Sequence, residues 1–285
     1  MPDTQVLTDN YLNLLLNFPN LSANTVLCLF LLTMMRIIPI ITLAPFFGSR
    51  NLPATIKIMF SIALGAILIP KVLMSATKPL DFDYMFIAHC IKELLIGFIM
   101  GFLVSIPFMI AQSSGSLIDH IRGSSSLQVT DPTTQTQTGP VGILYNYVLI
   151  AIFFAVGGPF LFINALAHSF QLIPADSFFH PDFMHLKLPT GKLFLILMNY
   201  VMSMAIQLAA PSLVGILMTE MFLGIANRLA PQVQIVFLGI PLKSWMGIFL
   251  LMISWYFILQ QLEKESLSWI KVIDKTVSQW KPLIS

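Results

Sequence analysis

Five histidines are the first residues in this chain whose type could do chemistry: His89, His120, His168, His180 and His185. The run His180-Pro-Asp-Phe-Met-His185 holds metal-ligating side chains. It lacks the i, i+4 spacing by which a helix turns two imidazoles toward one ion, and Pro181 places it in a loop. Asp119-His120 beside Ser124–Ser126 offers acid, base and hydroxyl. Adjacency in sequence is not the geometry of a catalytic triad, and no G-x-S-x-G elbow is present. No Walker-type phosphate loop occurs, so the chain is not expected to couple energy by itself. Cys28 and Cys90 lie in or beside apolar segments and read as small buried hydrophobes, not as a disulfide or metal pair. The expectation is therefore no catalytic residue, no metal and no cofactor.

A second set of residues is defined by its surroundings. Arg36, Asp119, Arg122, Glu220 and Arg228 are charges set in or against oily sequence. A charge at mid-membrane costs about 2.5–3.5 kcal/mol on insertion scales. In a transporter such residues would form a proton or substrate path. Otherwise they pair with each other, or with other subunits, to fix packing. The 16 methionines and 23 phenylalanines also carry two readings, helix-packing filler or a deformable constriction.

The elements that must position these residues are membrane helices. Of 285 residues, 56% are hydrophobic and 10% charged, against roughly 25% charged in a soluble domain. That makes the chain an integral membrane protein, and its formal charge of +2 gives no indication of nucleic acid. No basic residue precedes Arg36, so no cleavable signal peptide is expected and the first apolar segment would direct insertion. Residues 1–20 form an N-terminal polar segment. Apolar segments are expected at Leu21–Phe47, Ile58–Pro70, Leu94–Ile118, Val141–Pro174, Leu193–Thr219 and Ser244–Leu262.

Several segments are awkward. Ile58–Pro70, bracketed by Lys57 and Lys71, would reach only about 20 Å as a helix, short of a hydrocarbon core of about 30 Å. Pro107 should kink the third segment, and Gly97 and Gly101 in it form a GxxxG packing surface. Gly157-Gly158-Pro159 should break the fourth into a hairpin or re-entrant element. Six segments put both termini on one side, and the Lys/Arg bias places that side in the cytoplasm. The tail, residues 263–285, has Ile270, Ile273, Val277 and Trp280 at helical spacing. It reads as an amphipathic helix, lying on the membrane surface or docking on a partner.

Between the third and fourth segments lies a polar stretch, 119–140, rich in Ser, Thr and Gln. Such a stretch is stable in a membrane only where water or protein surrounds it. It has little apolar material to fix it by packing, so it is a candidate gate or plug. The residues singled out are Gly115, Asp119, Arg122, Gly123, Asp131, Pro132 and Gly139, with Gly115 and Gly123 supplying turn conformations. Residues 231–243, an apolar turn held by Pro231 and Pro241, read as subunit contact.

The end of the chain carries a recognisable signature. Ala210-Pro211 is followed by Leu213 to Glu220, then Leu223-Gly224-Ile225-Ala226-Asn227-Arg228-Leu229-Ala230-Pro231-Gln232-Val233-Gln234-Ile235-Val236-Phe237, and Gly239-Ile240-Pro241-Leu242-Lys243-Ser244 closes the run. Upstream come Arg36 with Ala44-Pro45-Phe46-Phe47-Gly48, Lys92-Glu93-Leu94-Leu95-Ile96-Gly97, and Gln112, Gly115, Ile118-Asp119, Arg122-Gly123 and Asp131-Pro132. In order and spacing, from Arg36 to Ser244, this resembles the FliR/SctT family of type III secretion export proteins. Glu220 and the Pro-Leu-Lys-Ser ending are more similar to the virulence (injectisome) branch than to the flagellar one. Gln234 and Ser114 depart from the usual Asn and Ala.

The resemblance implies an all-α polytopic protein of tilted, kinked helical hairpins that joins a pseudo-helical export gate in the bacterial inner membrane, partly raised to the periplasmic side. It implies FliP/SctR-like and FliQ/SctS-like partner subunits, contact with FlhB/SctU-like and FlhA/SctV-like proteins, surrounding lipid, and unfolded secreted proteins in transit. Nucleic acid is not among the partners. Arg36, Glu220, Arg228, Pro231, Gln232, Pro241 and Lys243 would then pack subunits together. The function expected is a non-enzymatic channel subunit. A secondary transporter or small-solute channel is the alternative, and would show an inverted internal repeat. A lipid-modifying enzyme would need a nucleophile or metal set.

Overall fold

The computed structural model describes residues 22–47, 53–76, 79–123, 129–130, 137–177, 190–229 and 235–279. Of these, 129–130, 137–138, 190–194, 235–238 and 270–279 are described by their backbone only. The described chain is helical: α1 (Ala23–Leu43), α2 (Ala54–Ser75), α3 (Tyr84–Ile121), α4 (Pro140–Ala155), α5 (Gly158–Leu172), α6 (Thr190–Leu229) and α7 (Ile235–Gln279). A 3-10 turn, Pro45–Phe47, follows α1. Between α3 and α4, β1 (Val129–Thr130) pairs antiparallel with β2 (Gln137–Thr138), Val129 opposite Thr138. Apart from this ladder the described fold is all-α. Five helices are long and apolar enough to cross a membrane, and α4 with α5 makes a sixth if the broken pair counts as one span.

The helices run longer than the apolar segments that mark them. Lys57, Pro70 and Lys71 lie inside α2, whose 22 residues reach about 33 Å and so match the bilayer core. The short Ile58–Pro70 reading is corrected: both lysines are half-buried within the helix. α3 begins at Tyr84, ahead of the start expected at Leu94, and His89, Lys92 and Glu93 in this added stretch are buried. It continues through Pro107 to Ile121. α7 starts before Pro241 and passes Glu263 without a break, so Pro241 is helical and the last span continues into the tail. The turn expected at 231–243 is thereby corrected from Ile235 onward, which is helix, while Pro231 and Gln232 lie outside the described residues.

Two compact units divide the chain. The first comprises Met1–Val104, Phe160–Leu186 and Ile270–Ser285. In it Ser22 caps α1 by accepting from the Thr25 amide at 3.2 Å, and the Thr25 hydroxyl donates to the Leu80 carbonyl. Leu29, Leu32, Ile37, Ile40, Ile96, Met100, Phe162 and Phe170 are among its fully buried apolar residues. The Gly97/Gly101 pair sits where α3 crosses α1. A Cβ on Gly97 would overlap the Arg36 carbonyl, and one on Gly101 would lie 3.1 Å from Ile40 Cα. Small residues at this spacing let two backbones touch.

The second unit comprises Ser105–Pro159 and Lys187–Trp269. Phe108 packs edge-on against Phe153 at 5.7 Å. Gly115 is inside α3 and is not a turn residue. A Cβ there would lie 2.5 Å from Gly142 Cα, so it serves close packing of α3 on α4. Gly123 does adopt the left-handed conformation, φ +84°, and ends α3, as Gly157 at φ +76° ends α4. The break expected at Gly157-Gly158-Pro159 is thus present. α6 and α7 form an antiparallel hairpin, with Gly215 against Leu250, Gly247 against Ile216, and Tyr200 donating to Glu265 at 2.5 Å.

Gly97→Ala should destabilise the detergent-solubilised protein by about 1–3 kcal/mol, the range for overpacking a tight contact. Gly224→Ala, where a Cβ meets nothing within 4 Å, should leave it unchanged. Thermal unfolding of both variants checks this. Equal behaviour would mean that α1 and α3 do not touch through Gly97.

Candidate functional site

Each unit holds one buried cluster of charge. In the first, Arg36 projects from the middle of α1 and is fully buried. Its Nε donates to Glu93 Oε2 at 2.5 Å and its Nη2 to Glu93 Oε1 at 2.9 Å. Nη1 donates to Ser169 Oγ, and Nη2 also to the Ile173 carbonyl, both at 2.9 Å. The guanidinium carbon lies 4.0 Å from the centroid of the Phe170 ring. A planar, fork-shaped donor matched on its edges and stacked on its face suits arginine and not lysine. Glu93 stands one helical turn before Gly97, so the close crossing of α1 and α3 is what brings carboxylate and guanidinium together.

Lys92 completes this cluster. Its Nζ donates to the carbonyls of Pro174, Ala175 and Ser177 at 2.8–3.1 Å and lies 2.8 Å from Glu93 Oε1. Those carbonyls follow the end of α5, where no further helical turn supplies N–H donors. An ammonium is well placed there, since it adds donors to carbonyls beyond the helix end and opposes the helix dipole.

In the second unit Asp119, in the last turn of α3, is 3% exposed. Its Oδ1 accepts from Arg122 Nε at 2.9 Å and Nη2 at 2.5 Å. Its Oδ2 accepts from the backbone amides of Val141 and Gly142 at 2.9 and 3.2 Å. Those amides open α4. The residue at that helix's own cap position, Gly139, has no side chain to serve them. Asp119 therefore caps a helix from 22 positions upstream of Val141. Gly139 is required beside it, because a Cβ there would overlap the Asp119 carboxylate.

The structure brings together Asp119, Arg122, Gly139 and, one turn earlier, Gly115. It also joins Glu220 of α6 to Lys243 of α7 as an ion pair, with side chains 42% and 25% exposed. Arg228 is exposed in the last turn of α6. Arg36, read from the sequence as a subunit-packing residue, is enclosed by its own chain. Asp131, Pro132, Ser124–Ser126, His180 and His185 lie outside the described residues. His89 is buried, His168 half-buried and His120 exposed. Among the described residues no group of three or more His, Cys, Asp or Glu side chains is placed to hold a metal.

Residues 27–268 match the model of the family described as bacterial export proteins, family 1. The chain belongs to that family. Its relatives include Yop proteins translocation protein T of Yersinia pestis, 32% identical over 64% of this chain and 67% of that protein. Flagellar biosynthetic protein FliR of Bacillus subtilis is 30% identical over 79% of this chain and 85% of its own length. Secretion system apparatus protein SsaT of Salmonella typhimurium is 28% identical over 78% and 89%. Secretion and flagellar relatives thus match to a similar degree. As a bacterial export protein the chain is an integral membrane component of a type III export apparatus, and the two clusters belong to its membrane helices.

Sequence reading had no role for Lys92, Glu93, Ser169, Tyr200 or Glu265. The signal for Glu93 was available: an acid four residues before a packing glycine, in a chain with an otherwise unmatched Arg36. In this export protein, removing one partner of the Arg36–Glu93 pair leaves a buried charge unmatched, which costs about 3–5 kcal/mol. Arg36→Gln and Glu93→Gln should each lower the amount of folded protein in membranes severalfold. Their combination should be no worse than either alone, as read by membrane level and thermal unfolding. Additive losses would show that the two side chains do not act as a pair.

Proposed function

We propose that this bacterial export protein is a structural, non-enzymatic subunit of the inner-membrane gate of a type III secretion system, and that its 119–140 segment helps close the channel to unfolded substrates. The observation that carries the gate reading is the Asp119 clasp. One buried carboxylate ties the end of α3 to the start of α4, so the polar segment leaves and re-enters the fold at a fixed base. Between those points the sequence is Ser, Thr and Gln with few apolar anchors. A closure element needs such a division, with ends held by strong charge-assisted bonds and a middle that can be displaced at small cost.

The partners in this reading are FliP/SctR-like and FliQ/SctS-like gate subunits, with FlhB/SctU-like and FlhA/SctV-like proteins at the assembly. Two features support membership of a larger complex. α3, α6 and α7, of 38, 40 and 45 residues, reach about 57, 60 and 68 Å, well beyond a bilayer core of about 30 Å. Apolar side chains remain exposed along α6 and α7, among them Met218, Met221, Phe222, Met252 and Phe257. Where such helices leave the lipid, neighbouring protein must cover them. Placement in the inner membrane, with part of the complex raised toward the periplasm, fits the same lengths.

The test begins with the native complex. A C-terminally tagged chain extracted in mild detergent, with its apparatus expressed, should migrate in one large assembly with two other small hydrophobic proteins. Migration alone or as a simple dimer would end the gate reading. In the assembled complex, Asp119→Ala should loosen the base of the segment and make the membrane leak ions, measured as loss of a potassium gradient. A tight membrane with assembly and secretion intact would remove the segment from the gate.

A further inference from the structure

The end of the α6–α7 hairpin holds a cavity that neither buried charge cluster uses. Its volume is about 260 Å³, and Glu220, Leu223, Gly224 and Asn227 of α6 line it with Ile240 and Lys243 of α7. Both helices are apolar enough to cross a membrane, and one candidate span ends at Leu229 where the other begins at Gly239. The cavity therefore lies near the end of two spans, the level at which a bilayer passes from acyl chains to headgroups. Two surface features fit that level. Ile225, Leu229 and Ile240 are exposed and apolar. Trp245 is 59% exposed and stacks on Phe249 with ring centroids 5.1 Å apart, and an exposed indole at the end of a span is what membrane interfaces favour.

The polar groups of the cavity carry both signs of charge and spare bonding capacity. Lys243 Nζ donates to Glu220 Oε1. An ammonium has three N–H groups, and this bond uses one. Glu220 Oε2 accepts no bond among the described residues. Asn227 is exposed, and neither its amide oxygen nor its two N–H groups make a bond among the described residues. A carboxylate, an ammonium and an amide that can both donate and accept thus line one small space. Gly224 keeps that space open, since a Cβ there would meet nothing within 4 Å.

We propose that this cavity binds the headgroup of phosphatidylethanolamine, a phospholipid that carries a primary ammonium and a phosphate. The ammonium donates to Glu220 Oε2 and to the Asn227 amide oxygen. The phosphate accepts from Lys243 and from the Asn227 N–H groups. Leu223 and Ile240 flank the lipid where its acyl chains begin. Charge complementarity selects this headgroup among the common ones. Phosphatidylglycerol would bring a phosphate beside Glu220 with no cation of its own to face the carboxylate. A choline headgroup has a cation but no N–H to donate. The sequence resemblance assigns Glu220 and Lys243 to subunit packing, and the proposal gives the open side of that pair a lipid instead. It requires only that the hairpin meets the bilayer, so it stands or falls apart from the gate reading.

The test uses the full chain expressed with its apparatus in a membrane that contains both phosphatidylethanolamine and phosphatidylglycerol. A photo-reactive benzoylphenylalanine replaces Ile240, which is exposed and lines the cavity, and mass spectrometry identifies the adduct. The ratio of ethanolamine to glycerol lipid in the adduct should exceed that of the surrounding membrane at least tenfold. Two variants should each lower the ethanolamine adduct at least tenfold while the membrane level of the chain holds. Glu220→Gln with Lys243→Gln removes both charges at constant volume, and a partly exposed pair adds little to stability. Gly224→Leu fills the cavity and leaves the charges in place. An adduct with another subunit or a second copy would overturn the proposal, as would a lipid ratio equal to that of the membrane. So would the absence of any adduct from a chain present in the membrane, or an undiminished yield in either variant. Should one variant lose membrane level, the other decides, and the lipid ratio at the unaltered cavity decides without either.

Discussion

A charge inside an oily helix survives only if protein groups complete its bonds, and where those groups come from another helix the two backbones must lie closer than ordinary side chains permit. Helices packed through side chains sit about 8–10 Å apart. Here two glycines bring helix backbones closer than that, and both lie one turn from a buried charge. Gly97 follows Glu93 by four residues and touches the backbone of Arg36. Gly115 precedes Asp119 by four and touches the backbone of Gly142. Charge and glycine act as one device: the glycine gives the proximity, and the charge then holds the crossing in a single register.

The same device ends helices. A helix terminus in water can leave its last groups to solvent, but one enclosed by apolar protein cannot. The N-terminal amides of α4 take Asp119 as their acceptor, and the carbonyls after α5 take Lys92 and Arg36 as their donors. In both cases the capping residue comes from a distant part of the sequence. The ends of α4 and α5 are therefore set by tertiary structure, and their flanking residues need not carry the usual capping side chains.

That dependence explains what could be read in advance. Residue types alone showed an integral membrane protein, the break at Gly157-Gly158-Pro159, and the peculiarity of Arg36, Asp119 and Arg122. The family motif contained Lys92 and Glu93, but only as letters. Their roles depend on partners far away, 57 positions in the case of Arg36 and Glu93, and no local periodicity encodes that. Helix lengths were underestimated for a related reason. Charged or polar residues such as Lys57, Lys71 and Lys92 look like segment ends when lipid is assumed, and become helix interior once a stem or a carbonyl accommodates them. Gly115 was misread because a glycine beside a polar stretch suggests a turn, whereas its value here is the side chain it lacks.

The α6–α7 hairpin breaks the pattern in an informative way. Glu93 is fully enclosed with its partner charge, whereas Glu220 and Lys243 form a pair that stays open on one side. Gln207 and Gln260, both exposed, each donate one amide hydrogen along their own helix. The two classes of polar residue therefore differ in how far the chain encloses them. The buried clusters are completed within the chain and fix its fold. The Glu220–Lys243 pair is made between the two helices of the hairpin and stays partly exposed.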